Sequence, residues 1–239
     1  MSGVIKVFKL LLLPLIAATI VAGFLWLPPA QNFLNPGLAR IVVFHVPCSI
    51  VATIASIVAT WHAIRYLRKR SLIDDFKAQA SFTFALLLWV LTTVTGAIFA
   101  RVQWGAYWSW DIKQSAILIL LMIFAAYFAL RAAIDDERKR ATLGSVYILF
   151  ALIAVPYLTL ALPNSTPDTL HPKGTLTTSD GLIFQYKITL WAGVLGLTGV
   201  YAWTAQLAGA VARLEFARRR QTGAAHSQAA QVTIVEKVL

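Results

Sequence analysis

The sequence has a single cysteine, Cys48, and few charged residues. One cysteine cannot form an internal disulfide, and it excludes a Cys-x-x-Cys redox pair as well as the Cys-x-x-Cys-His motif that attaches haem to c-type cytochromes. Charged residues make up 13% of the chain, about half of the roughly 25% that a soluble domain carries. The chain is therefore neither a thiol reductant nor a c-type cytochrome, and its composition disfavours a soluble globular domain.

Six long apolar runs account for the low charge, since 59% of the 239 residues are hydrophobic. Each run is close to the roughly 20 residues that a membrane-spanning helix needs, and the runs cover residues 10–27, 41–64, 80–100, 112–130, 143–162 and 188–211. The first run exceeds the roughly 7–15 residues of a signal-peptide core, which favours a retained helix. The sequence predicts an all-α polytopic membrane protein with six transmembrane helices in one domain, residues 1–213, followed by a polar cytoplasmic tail, residues 214–239.

The basic residues are concentrated in alternate connections between the runs. Sixteen of the 21 lysines and arginines lie at the N-terminus, between runs two and three, between runs four and five, and after run six. Because such loops face the cytoplasm, both termini are predicted to be cytoplasmic, and the loops at 28–40, 101–111 and 163–187 are predicted to face outward. Membrane orientation thus explains the net charge of +11, and nucleic acid is not expected as a partner.

The loop between the third and fourth runs holds three of the eight tryptophans within seven residues. It reads Arg101-Val-Gln-Trp-Gly-Ala-Tyr-Trp-Ser-Trp-Asp111. If the segment is helical, one face carries Trp104, Tyr107, Trp108 and Asp111, because they are spaced i, i+3, i+4 and i+7. That face would be a flat apolar platform for a planar ligand. An interfacial aromatic belt without a ligand is the alternative, and the residues alone leave both open.

Two of the four histidines are predicted on the same membrane face as this loop. His45 lies near the outer end of the second run, and His171 lies in the last outer loop. His62 and His226 are predicted on the cytoplasmic side, where structural or solvated roles are expected. Neutral imidazole is a common axial ligand of haem iron, and two such ligands from different segments could hold a porphyrin from both sides. A hydrogen-bonded core histidine is the ordinary alternative, and the spacing does not identify a metal.

The segment Trp104-Gly-Ala-Tyr-Trp-Ser-Trp-Asp111 resembles the tryptophan-rich WGxxWxWD signature of cytochrome c assembly proteins that handle haem. The contexts Phe-His-Val-Pro at 44–47 and Thr-Leu-His-Pro at 169–172 resemble the short six-helix branch of that family, the haem exporter protein C (CcmC) type. The resemblance covers about residues 40–187. The longer CcsA-type relatives carry additional helices and an additional intramembrane histidine pair, which this sequence lacks.

The resemblance implies that the loop binds haem b as cargo, with His45 and His171 as axial ligands of the haem iron. It implies a haem-contacting segment made of Trp104, Gly105, Tyr107, Trp108, Trp110 and Asp111, with Arg101 or Lys113 pairing with the propionates. Many members have an arginine soon after the motif aspartate, and Lys113 there keeps the charge but loses the bidentate fork. Three roles for Asp111 stay open: orienting a tryptophan N–H, capping the fourth helix, or accepting a bond from a partner.

The resemblance also implies partners and a place in the cell. The partners are a membrane-anchored haem chaperone (CcmE-like), ABC transporter subunits (CcmA- and CcmB-like), a small membrane subunit (CcmD-like) and the lipid bilayer. The protein would lie in the bacterial inner membrane with its functional loops in the periplasm. Bis-histidine ligation leaves no open iron site, so a haem presenter is expected rather than an enzyme. The alternatives are a permease subunit for haem or another solute, a b-type cytochrome subunit in electron transfer, and a loop that only recruits proteins.

Overall fold

The computed structural model describes residues 3–30, 33–167, 169–171 and 182–238, and these residues form helices and connections with no strand. Six helical segments are long and apolar enough to cross a membrane. The prediction of an all-α polytopic membrane protein with six transmembrane helices is therefore confirmed.

The bounds of the helices, in chain order, are α1 Gly3–Val21, extended by a π-helical turn at Ala22–Trp26; α2 Val42–Lys69, preceded by a 3-10 turn at Ala39–Ile41; α3 Leu72–Trp104; α4 Ile112–Ala132; α5 Glu137–Pro156, extended by a π-helical turn at Tyr157–Ala161; the short α6 Leu162–Ser165; and α7 Phe184–Val238. Helix α2 lies at the centre of the bundle, and α7 packs against α1, α2 and α3.

Most helices extend beyond the apolar runs that predicted them. The third run, 80–100, lies inside α3, which begins eight residues earlier, and the sixth run, 188–211, lies inside α7. Apolar runs measure the hydrocarbon thickness, whereas the backbone continues as a helix through polar residues that are good helix formers. For the same reason α7 continues through most of the predicted tail, because residues 214–238 are rich in alanine, arginine and glutamine.

Small residues allow α2 to pack closely against its neighbours α3, α5 and α7. Ala52, Ala55, Ala59 and Ala63 are fully buried along α2, at the three- and four-residue spacing of one helical face. Small side chains at such positions let helix backbones approach each other, which stabilises helix pairs in membranes. The long α2–α3 interface positions the α2 residue His45 against α3.

A buried ion-pair network connects α3 to α4 at the end of the bundle where α3 begins. Arg131 donates through its two terminal nitrogens to Asp75, at 2.8 and 3.0 Å, and to Gln79 at 3.0 Å. Its side chain packs over the ring of Tyr127, and Gly144 leaves the space that the guanidinium occupies. The bidentate pair satisfies both charges away from water.

The neighbouring Asp74 is also buried and joins α3 to α2. It forms an ion pair with Arg65 at 3.1 Å and a hydrogen bond with Nδ1 of His62 at 3.3 Å. His62 therefore has the structural role expected from the sequence. The side chain of His226, the other histidine predicted on this side, lies outside the described residues.

Candidate functional site

The tryptophan-rich segment is a loop and not a helix. Trp104 is the last residue of α3, and Gly105 ends the helix in the left-handed conformation, with a φ of +84° and its N–H bonded to the Arg101 carbonyl at 3.2 Å. Trp110 also has a positive φ, 59°. The expectation that Trp104, Tyr107, Trp108 and Asp111 share one helical face is wrong, because this glycine terminates the helix before the other three residues.

The aromatic residues of the loop separate into two groups. Trp104 packs edge-on against the imidazole of His171, with ring centroids 4.9 Å apart, and against Phe99 at 5.5 Å. Trp108 packs edge-on against Trp110 at 5.7 Å, and the Trp110 side chain is 71% exposed. The loop therefore presents one half-buried tryptophan at a histidine and a second pair in which Trp108 is half-buried and Trp110 is exposed.

Arg101 is engaged within this loop. Its guanidinium donates to the carbonyl of Gly105 and lies 5.8 Å from the ring centroid of Tyr107. A cation at this position satisfies a carbonyl beyond the C-terminus of α3, where the helix dipole is negative. Arg101 thereby fixes the start of the loop.

Asp111 is the polar centre of the site, and its carboxylate accepts four hydrogen bonds. Oδ1 accepts from the Lys113 N–H at 3.0 Å and from Nδ1 of His171 at 2.8 Å. Oδ2 accepts from the Thr169 hydroxyl at 2.9 Å and from the Leu170 N–H at 2.8 Å. Of the roles left open by the sequence, capping of α4 is present, and Asp111 also holds the distant segment 169–171 against the loop.

Burial and hydrogen bonding set the ionisation of these two groups. Burial acts to raise the pKa of Asp111, but the hydrogen bonds from Leu170, Lys113 and Thr169 outweigh it and hold the pKa below its usual value. Burial lowers the pKa of His171, the Lys113 charge lowers it further, and the opposing effect of Asp111 does not restore it. At neutral pH the pair therefore consists of a carboxylate and a neutral imidazole.

His45, the second histidine of the candidate site, lies on α2 and faces α3. Its Nδ1 lies 3.0 Å from the hydroxyl oxygen of Thr95, and that hydroxyl donates to the Leu91 carbonyl at 2.7 Å. The hydroxyl proton is thus directed to the carbonyl, so its oxygen accepts from Nδ1–H of His45. Gly96 provides the space for the ring, because a Cβ there would lie 2.9 Å from Cε1 of His45.

The two histidines have the same tautomer for the same physical reason. In each ring an acceptor, Thr95 or Asp111, fixes the proton on Nδ1, so Nε2 is the unprotonated nitrogen. A histidine that ligates a metal through Nε2 commonly donates its Nδ1–H in this way, which orients the ring and raises its basicity. Both side chains can therefore serve as neutral nitrogen ligands.

Among the cations that the structure describes, Lys113 is one whose charge acts on both histidines. Each imidazole is also within electrostatic range of the other. The Lys113 side chain is half-buried at the start of α4. An anionic group bound between the histidines would therefore meet a positive charge there.

Several residues that shape the site were not predicted from the sequence. Gln114 accepts from the Ser109 N–H at 2.7 Å and donates to the Tyr107 carbonyl at 3.2 Å, so it holds the loop over the start of α4. Thr95 and Gly96 position His45 from another helix. The position of Gln114, a polar residue at the start of an apolar run, indicated that it could have a specific role. Nothing in the sequence indicates that His45 contacts Thr95 and Gly96.

Comparison with known proteins identifies the family. A family model described as "Heme exporter protein C" matches residues 2–227. The chain belongs to the haem exporter protein C family. The chain is similar to Heme exporter protein C of Paracoccus denitrificans, 26% identical over 165 residues, which are 65% of this chain and 68% of that one. With the Haemophilus influenzae protein of the same name it shares 25% over 205 residues, 82% of this chain and 79% of that one.

A related branch shows a more local similarity. A cytochrome c biogenesis protein CcsA of Prochlorococcus marinus is 35% identical over 92 residues, which cover 37% of this chain and 29% of that protein. The haem exporter protein C family thus matches nearly the whole chain, and the similarity to the longer protein is confined to a part of it. This agrees with the six-helix branch suggested by the sequence.

Proposed function

We propose that the protein binds haem b as cargo through His45 and His171 and delivers it to a haem chaperone for cytochrome c maturation. The observation that carries the proposal is the shared state of the two imidazoles, each with Nδ1 hydrogen-bonded and with no hydrogen bond at Nε2 in the part of the chain that the structure describes. Membership in the haem exporter protein C family supports a role in haem handling.

The histidine pair suits holding and release better than catalysis. Two neutral imidazoles would fill both axial positions of the iron, which leaves no site for oxygen chemistry. His171 comes from a loop and His45 from a helix, so withdrawal of the loop would remove one ligand without unfolding the bundle. We therefore assign the protein as a haem presenter and not as an enzyme.

A buried donor without a partner supports a ligand at the tryptophan-rich loop. The indole N–H of Trp108 is buried and has no acceptor within the part of the chain that the structure describes. A buried unpaired donor costs about 1–3 kcal/mol, so an incoming acceptor would be stabilising. A haem propionate supplies such an acceptor, and Lys113 supplies the matching positive charge. Trp104 and Trp110 would add contacts to the porphyrin.

The basic residues support the orientation in the membrane. Their concentration at the opposite ends of the helices favours a tryptophan-rich loop on the periplasmic face of a bacterial inner membrane. There it would meet a membrane-anchored CcmE-like chaperone, while CcmA-, CcmB- and CcmD-like subunits would assemble with the helices in the bilayer.

Maturation of c-type cytochromes in cells lacking their own haem exporter protein C tests the function. We expect His45→Ala and His171→Ala to lower covalently bound c-type haem by about tenfold or more, on the scale that loss of metal-site residues produces. Trp108→Ala is expected to give a smaller loss. His62→Ala and Trp61→Ala, which change the same residue types elsewhere, are the controls and should mature cytochromes normally at equal membrane abundance. Normal maturation in both the His45 and His171 variants would contradict the proposal.

A further inference from the structure

A groove runs between α3 and α7, far from the histidine site. It has a volume of about 340 Å³ and is open to the side of the bundle. Its walls are mostly apolar and include Ala80, Phe84, Tyr201, Ala205 and Ala208. Nothing in the proposed haem site uses this surface.

The inner end of the groove is closed by an aromatic pair. The Tyr201 ring packs against Phe84 with centroids 5.1 Å apart, and its hydroxyl donates to Ser81 at 2.9 Å. The polar atom of Tyr201 is thus already satisfied, and most of the remaining wall is apolar, although Gln79, Thr83 and Thr204 also line it. Such a surface favours an apolar chain over a polar ligand.

Two cations lie beside the other end of the groove, around Gly209, which follows the lining residue Ala208. If Gly209 carried a Cβ, that atom would lie 3.8 Å from Nζ of Lys77 and 3.8 Å from a terminal nitrogen of Arg213. The two charged nitrogens are therefore separated by no more than the sum of these two distances. Such a Cβ would also meet Cε of Lys77 at 3.0 Å, which explains how glycine admits the lysine.

These two charges are not neutralised within the part of the chain that the structure describes. Neither Lys77 nor Arg213 forms an ion pair there. The acidic residues that precede Lys77 are already paired, Asp74 with Arg65 and Asp75 with Arg131. Two like charges this close repel each other, and an anion bound between them would remove that repulsion.

We propose that this groove binds an anionic phospholipid, with its phosphate between Lys77 and Arg213 and an acyl chain along α3 and α7. Basic pockets between transmembrane helices on the cytoplasmic side recognise anionic headgroups in this way. The apolar wall beside two unpaired cations matches a phosphate joined to an acyl chain, whereas an apolar helix from another subunit, about 10 Å across, would not neutralise the cations. The lipid site is independent of the proposed haem function.

Lipid titration of the purified, delipidated protein tests the proposal, with native mass spectrometry as the readout. Wild type is expected to bind one phosphatidylglycerol more tightly than phosphatidylcholine. Lys77→Gln/Arg213→Gln should weaken phosphatidylglycerol binding about 10- to 30-fold, since each cation near an anionic lipid contributes a factor of about five. Arg68→Gln/Lys69→Gln removes the same charge from an exposed place outside the groove and should leave the affinity unchanged.

A second variant separates the groove from the surface charge. Ala205→Phe fills the groove and keeps both cations, and we expect it to lose phosphatidylglycerol while its melting temperature in lipid-free detergent stays at the wild-type value. The proposal is overturned if wild type binds both lipids equally, if the double variant binds as wild type, or if Ala205→Phe keeps the lipid. Loss of a co-purifying membrane subunit from Ala205→Phe with unchanged lipid binding would identify a helix-docking surface instead.

Discussion

Replacement of Asp111 by alanine is expected to lower the haem content of the purified protein by about tenfold or more, on the scale that loss of a ligand-orienting residue produces. The carboxylate accepts four hydrogen bonds, and through them it holds segment 169–171 against the start of α4 and the tryptophan-rich loop. Without it, His171 loses the acceptor that fixes both its tautomer and its position. The measurement is haem per protein by pyridine haemochrome after expression in haem-replete cells.

Asparagine at this position distinguishes ligand positioning from helix capping. The amide side chain would remain a good N-cap for α4 but offers one acceptor oxygen in place of two. We expect Asp111→Asn to retain the wild-type melting temperature and to lose haem to an intermediate degree. Full haem content in this variant would show that Asp111 acts only as a cap.

Thr95→Val is the corresponding change at the other histidine. It removes the acceptor of His45 Nδ1–H at nearly constant side-chain volume, and α2 and α3 still confine the ring. A smaller loss of haem than in Asp111→Ala is therefore expected.

Replacement of Arg131 by methionine is expected to destabilise the bundle by about 3–5 kcal/mol, because it leaves the buried Asp75 carboxylate without its partner. Both side chains are about nine-tenths buried, and the pair joins α3 to α4 at the end opposite to the tryptophan-rich loop. The measurement is thermal unfolding in detergent, followed by circular dichroism.

Two comparisons make this prediction specific. Arg131→Met/Asp75→Leu removes both charges together and should recover most of the stability, since an apolar pair can replace a buried ion pair. Glu137→Gln interrupts the exposed pair with Arg219 and should leave the melting temperature unchanged. Equal destabilisation by the single and double variants would contradict the assignment of the loss to an unpaired buried charge.

The six transmembrane helices were predictable because the bilayer imposes one rule on every span, namely about 20 apolar residues in an internally hydrogen-bonded helix. The rule does not specify where a helix ends, so the predicted runs were shorter than the helices α3 and α7. The end of α3 depends instead on the left-handed conformation of Gly105. Because the helix stops there, the aromatic residues that follow do not share a helical face with Trp104.

The candidate site was only partly predictable for a similar reason. His45, His171 and Asp111 were selected by residue type and by resemblance, without contacts between them. The bond from His171 to Asp111 joins residues 60 positions apart, and the bond from His45 to Thr95 joins residues 50 apart. Such pairings arise from helix packing, and one sequence contains no pattern that records them. Haem ligation by the two histidines stays a prediction.

The absorption spectrum of the purified protein tests that ligation most directly. Wild-type protein from haem-replete cells should show a low-spin bis-histidine spectrum. His45→Ala and His171→Ala should each weaken it, Trp108→Ala should weaken it less, and His62→Ala should leave it unchanged. A wild-type protein that contains no haem, with its chaperone partner either present or withheld, would contradict the account. So would a low-spin spectrum that survives unchanged in both ligand variants.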